Sequence, residues 1–112
     1  MAIHFKTTTP KKLLATYKKA IDDEHIETWS YDGEGDFTHT APQWFEKAWL
    51  RPKITDGSEL VFYILAPRET KLTSAEYAIY HGRFIESFLL HCDTLFYEAC
   101  ASAMPENGDV TC

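Results

Sequence analysis

A chain of 112 residues, 45% hydrophobic and 25% charged, has the size and composition of one globular domain that buries roughly two thirds of its unfolded surface. Its net charge of −6 argues against nonspecific nucleic-acid binding, which needs lysine and arginine to neutralise phosphates. No apolar run approaches the ~20 residues that span a bilayer. The opening MAIHFKTTTPKK also lacks a signal peptide's apolar stretch, so a cytoplasmic protein is expected.

The alternation in Ala2-Ile3-His4-Phe5-Lys6 allows a short edge strand or an ordered arm. Thr9 before Pro10 is an N-cap followed by proline at the first helical position. Leu13, Leu14, Tyr17, Ala20 and Ile21 then recur at helical spacing, predicting a helix over 10–23. Asp22 and Asp23 oppose the negative end of its dipole and help to stop it. Residues Ile26 to Tyr31 have a strand's composition, and Phe37-Thr38-His39 reads as the return strand. Thr40-Ala41-Pro42-Gln43 has the form of a capping box, predicting a short helix through about Lys47.

A strand over 48–55 must be an edge or bulged at Pro52, which has no N–H to donate. Asp56-Gly57 is a hairpin signal, and the apolar run of Glu59 to Ala66 predicts a central strand. Thr73-Ser74-Ala75-Glu76 is a second capping box, opening the longest helix, over 74–102. Its core face is expected to hold Tyr77, Ala78, His81, Phe84, Ile85, Phe88, Leu89, Cys92, Leu95, Phe96 and Ala99. Met104-Pro105-Glu106-Asn107-Gly108 stops that helix.

The expected fold class is α+β: a single domain over 1–104 with a flexible tail over 105–112. Two main helices pack on one face of an antiparallel sheet of about four strands. Cys92, Cys100 and Cys112 form an odd set with no CxxC pair, which favours reduced thiols over a disulfide framework. Cys92 is expected in the core.

Charge is polarised along the chain. Residues 1–20 carry five lysines and no acid, while 21–37 carry seven acids and no base. The stretch that closes the acidic block, WSYDGEGDFTHT, spaces Asp32, Glu34 and Asp36 like the start of an EF-hand. Counting from Asp32, however, Phe37 stands where that loop needs glycine, and Gln43 where it needs a bidentate glutamate. A hairpin turn with glycines at positive φ and Asp32 as cap needs no metal, so no metal and no cofactor are expected.

Three sets of candidate residues follow. Trp29, Tyr31, Asp32, Glu34, Asp36 and Phe37 form an aromatic, acidic segment of the kind that makes protein–protein hot spots. His81, which is either a neutral core histidine or a base at the sheet–helix junction, leads a possible catalytic set with His39, Arg51 and Tyr80. Gly82 beside it costs about 1 kcal/mol of helix stability and suggests either close backbone approach or room for a ligand. Arg83 and Glu86, three apart, are expected as a surface ion pair. The third set joins Ile79, Leu90 and Tyr97, a second and thinner apolar line on the opposite face of the last helix, to Leu95 and Phe96, where the core stripe runs on toward the helix end, and points to a homodimer or a partner groove.

The motifs of common enzyme mechanisms are absent: GxSxG, HExxH, a P-loop, dinucleotide glycines and zinc-type Cys/His spacing. The leading expectation is therefore a small protein-binding or regulatory domain, of acidic inhibitor or immunity type. The alternative is a small enzyme or ligand-binding domain with a pocket near His81.

Overall fold

The structure is a computed structural model that describes residues 1–55 and 57–111; Asp56, half of the expected Asp56-Gly57 signal, and Cys112 lie outside that range. Its elements are β1 (Ile3–Lys6), α1 (Pro10–Asp22), β2 (Trp29–Tyr31), β3 (Phe37–His39), β4 (Trp49–Thr55), β5 (Glu59–Leu65), α2 (Ser74–Cys92) and β6 (Glu98–Ala101). The strands form one antiparallel sheet in the order β2-β3-β4-β5-β1-β6. The α+β class holds, but the sheet has six strands where about four were expected.

The two further strands are β1 and β6, and two of the expected helices are corrected. The last helix ends at Cys92, not near residue 102. A helix over 74–102 would run roughly 40 Å at 1.5 Å per residue, which exceeds the molecule's longest extent of 36 Å. The chain turns back at Asp93, where the amide of Leu95 donates to the Cys92 carbonyl (2.9 Å). The Thr7 hydroxyl then donates to the Leu95 carbonyl (2.5 Å), anchoring the turn and delivering β6 to β1. Covered by β6, β1 becomes an inner strand instead of an edge. The helix expected over 41–47 is the second correction, since only turns form there. Thr40 donates its hydroxyl to the Glu27 carbonyl (2.7 Å) instead of capping, and Glu46 at φ 55° breaks any continuation.

Alternation along the strands sends Ile3, Phe5, Phe37, Leu50, Leu60, Phe62 and Ile64 to the face that carries both helices, where all are buried. Phe84 of α2 is the centre of this core, with ring centroids 4.7 Å from both Phe62 and Trp29. Phe88 lies stacked between Phe5 (4.3 Å) and Tyr17 (4.0 Å). The Tyr17 hydroxyl, the one polar atom of that stack, donates to Ser87 Oγ (2.8 Å), and burial pushes its pKa well above the ordinary value. β5 is central, as its apolar run predicts. Pro52 sits where β4 has a β5 partner but β3 has already ended, since β3 pairs with β4 only at Phe37 and Leu50.

The segment after β6, read from sequence as a tail, lies against the body. The amide of Val110 donates to the Ile64 carbonyl (2.9 Å), and that of Leu72 to the Thr111 carbonyl (2.9 Å). Asp109 accepts the Ile64 amide (2.9 Å).

Candidate functional site

The acidic stretch is a hairpin tip joining β2 to β3. One carboxylate oxygen of Asp32 accepts the amides of Glu34 (2.9 Å) and Asp36 (3.0 Å), while Gly35 at φ 85° completes the turn. Asp36 is buried and receives Arg51 in a two-pronged bond, Nε at 2.9 Å and Nη2 at 2.7 Å. Glu34 lies 3.4 Å from the same guanidinium. The acids are thus partly neutralised from β4. Among the described residues no cluster of three or more His, Cys, Asp or Glu side chains is arranged to hold a metal ion.

The aromatic half of that segment is not a surface. Trp29 and Phe37 are buried in the core, a correction to their expected exposure. Pairing explains it, because Trp29 opposite His39 and Tyr31 opposite Phe37 turn their side chains to the helix face. Tyr31, at the margin, donates to Asp22 (2.6 Å) and lies under the Lys18 ammonium. Only Asp32 and Glu34 of the six residues are fully exposed.

Of the four catalytic candidates only His39 and Tyr80 come together, with ring centroids 6.5 Å apart against Trp29; His81 and Arg51 lie elsewhere. Tyr80 is buried, its hydroxyl bonded to Thr38 Oγ1 (3.0 Å) and to the Trp44 carbonyl. His39 accepts the Ala41 amide at Nδ1 (3.0 Å) and packs edge-on against Trp29. Burial, with a smaller contribution from the Arg83 charge, lowers its pKa. His81 is also buried, its Nδ1 at 2.6 Å from the Tyr77 carbonyl and its Nε2 at the Met1 carbonyl. Its pKa is lowered because burial outweighs the pull of the two carbonyls. Arg51 faces the hairpin on the other side of the sheet. Two open hollows, of about 400 Å³ and about 270 Å³, lie instead around Thr8, Thr9 and Lys12 at the start of α1.

The third set divides. Leu95 and Phe96 fall in the turn after α2 and pack on the core, Phe96 with its ring centroid 5.2 Å from that of Phe5. Tyr97 is exposed just before β6, while Leu90 lies exposed on the outer side of α2 and Ile79 is half-buried. That outer side is wider than the sequence indicated, because Ala78 and Leu89, assigned to the core, are exposed too. The buried line is Tyr80, His81, Phe84, Ser87, Phe88 and Cys92. Turned outward are Ala75, Ala78, Gly82, Leu89 and Leu90, with Leu89 52% and Leu90 73% accessible. A Cβ added at Gly82 would meet nothing within 4 Å, so the close approach that this glycine suggested is not made within the chain. Arg83 and Glu86 make no ion pair among the described residues. The spacing of Ala75, Ala78 and Gly82, three then four, is the signal that marks this stripe in the sequence.

A further cluster had no sequence signal. On the face away from the helices, His4 places Nδ1 at 2.9 Å from Glu59 and Nε2 at 2.9 Å from Glu106. Partial burial opposes its charged form, but the two glutamates outweigh it and raise its pKa. Glu106, bonded by Ser102 and His4, is lowered.

Compared with known protein families, curated proteins and solved structures, this chain matches none. Among the described residues no helix is long and apolar enough to cross a membrane.

Proposed function

We propose that this chain is a small protein-binding domain whose contact surface is the outer face of α2. The observation that carries the reading is the exposure of Leu89 and Leu90 on a helix whose accessible side between Ser74 and Leu90 holds three charges, Glu76, Arg83 and Glu86, with Glu76 tied to the helix start by its bond to the Thr73 amide. A soluble helix normally sets charged and polar residues there, and a contiguous apolar stripe is the usual mark of a contact surface. Asp32 and Glu34 at the hairpin tip remain available to a basic partner, but Trp29 and Phe37 have no accessible area to contribute. A pocket beside His81 draws no support from the geometry, because both ring nitrogens face backbone carbonyls. Free thiols at Cys92 and Cys100 fit a reducing, cytoplasmic setting.

The test is capture from the native cytoplasm with the wild type and a Leu89→Glu/Leu90→Glu variant that retains its circular dichroism. Loss of the captured protein by at least tenfold is expected, as two hot-spot side chains would give. Equal capture by both proteins would contradict the reading.

A further inference from the structure

We infer that His4 is a pH-sensitive latch on residues 102–111: its protonated ring ties that segment to the sheet, and loss of the proton lets the segment lift while the helix-covered core stays folded.

The segment is bound to β5 beyond the point where β1 begins. β1 pairs with β5 only from Ile3, opposite Phe62, so the backbone of Ile64 and Ala66 has no partner there in β1. Residues 109 and 110 supply one. Asp109 accepts the Ile64 amide (2.9 Å), the Val110 amide donates to the Ile64 carbonyl (2.9 Å), and the Ala66 amide donates to the Val110 carbonyl (2.6 Å). Asp109 is placed by a short turn. The Glu106 amide donates to its carboxylate (2.7 Å), and its own amide donates to the Glu106 carbonyl (3.0 Å). Through its side chain Glu106 ties that turn to β1, with His4 Nε2 at 2.9 Å.

The bonds around the ring make this tie depend on its charge. Nδ1 faces the Glu59 carboxylate (2.9 Å) and Nε2 that of Glu106. An imidazolium donates from both nitrogens, whereas a neutral ring has one N–H and sets a lone pair against the other carboxylate. Glu59 is held in the β5 ladder, so Glu106, on irregular backbone, is the partner that moves. The other titratable groups around His4 are Lys6 of β1, engaged by Glu98 of β6 (3.5 Å), and Cys100 of β6, opposite His4 in register. Tyr63 of β5 and Lys53 of β4 lie on the same face, and Asp109 is 3.6 Å from the Met1 ammonium. Partial burial lowers the His4 pKa, but the two glutamates outweigh it and raise it above 6.5. The tie is therefore complete below 6.5 and fails as pH rises through the folded value. Glu106 is lowered from 4.5 by Ser102 and His4, so on the acid side the tie fails only as pH falls through that lower value.

Native-state hydrogen exchange between about pH 5.5 and 8.5, corrected for the intrinsic pH dependence of exchange, tests the latch. Protection of the Ala66, Leu72 and Val110 amides, all bonded within or to the segment, should fall about three- to tenfold as pH rises, the size of one charged hydrogen bond between partly exposed groups. Low concentrations of urea should leave those rates nearly unchanged, because a local lift exposes little surface, while the Phe84 and Phe88 amides of α2 exchange faster with each addition. In His4→Gln the protection should not vary with pH. It should not vary in Glu106→Gln either, because a carboxamide donates to a neutral ring as well as accepting from a charged one. A pH dependence that persists in His4→Gln would assign the switch to another group, such as the Met1 ammonium, and overturn the inference. So would unchanging protection in the wild type, a wild-type response in Glu106→Gln, or segment amides that follow urea as steeply as Phe84 and Phe88.

Discussion

Two buried or half-buried histidines should respond to pH in opposite directions. The folded-state pKa of His4 is raised above its ordinary 6.5, so its contribution to stability is complete below 6.5 and is lost as pH rises through the folded value. Glu106 is lowered from 4.5, so its contribution is present above 4.5 and is lost as pH falls through the folded value. His81 is lowered, and the native state therefore resists its protonation; stability falls as pH drops below 6.5, and His39 adds to the same limb. Urea denaturation from pH 4 to 9 should show the alkaline decline flattened in His4→Gln and the decline below 6.5 reduced in His81→Asn. Parallel curves for either variant and wild type would contradict the assignment.

Arg51 tests the hairpin at the same scale. Arg51→Met leaves the buried Asp36 carboxylate without its partner. Because Arg51 is itself half exposed, the loss should be about 1–2 kcal/mol, short of the ~3–5 for a fully buried pair. An unchanged midpoint would show that Asp36 is solvated instead. The capping role of Asp32 was legible in the sequence, because Asp followed by alternating glycines has a turn mechanism. The burial of Trp29 was not, since a three-residue strand carries too little alternation to declare its inner face.

Among the elements, α1 ends in a way that invites improvement. The amide of Glu24 donates to the Ile21 carbonyl (3.0 Å) and that of His25 to the Ala20 carbonyl (2.9 Å), the bond pair of a Schellman motif. Its left-handed position is held by Glu24 at φ 64°, where glycine carries no Cβ penalty. Glu24→Gly should raise stability by roughly 0.5–1 kcal/mol in thermal melts, through relief of strain and removal of an acid from the helix C-terminus. A loss would mean that the motif does not form.

The opposite case is Gly108, at φ 116° with an added Cβ only 2.8 Å from the Tyr63 ring. Gly108→Ala should therefore destabilise, with faster hydrogen exchange at Val110 as its local signature. The starts of both long helices and the place of β5 could be read from caps and periodicity. β6 could not, because Leu95, Phe96 and Ala99 continue a helical period while lying in a turn and a strand. No glycine or proline marks the reversal at Asp93; it is set by the size of the core and by the Thr7 hydroxyl.

At the scale of the molecule, one face of the sheet is closed by two helices, and the outer side of α2 is left with exposed leucines that the fold does not use. The sequence showed a second apolar side to this helix, but drew its boundary through residues that lie beyond the helix end. Three-dimensional burial moved Ala78 and Leu89 outward and Tyr80 inward, which widened the stripe into a surface. If that surface exists for contact and not for folding, its leucines should be dispensable to the isolated chain. Equilibrium urea denaturation at sub-micromolar protein, where association is negligible, measures this directly for Leu89→Ser/Leu90→Ser against wild type. The expected result is agreement within about 0.5 kcal/mol, as for other surface substitutions; a loss above about 2 kcal/mol, the cost of truncating a buried leucine, would contradict it.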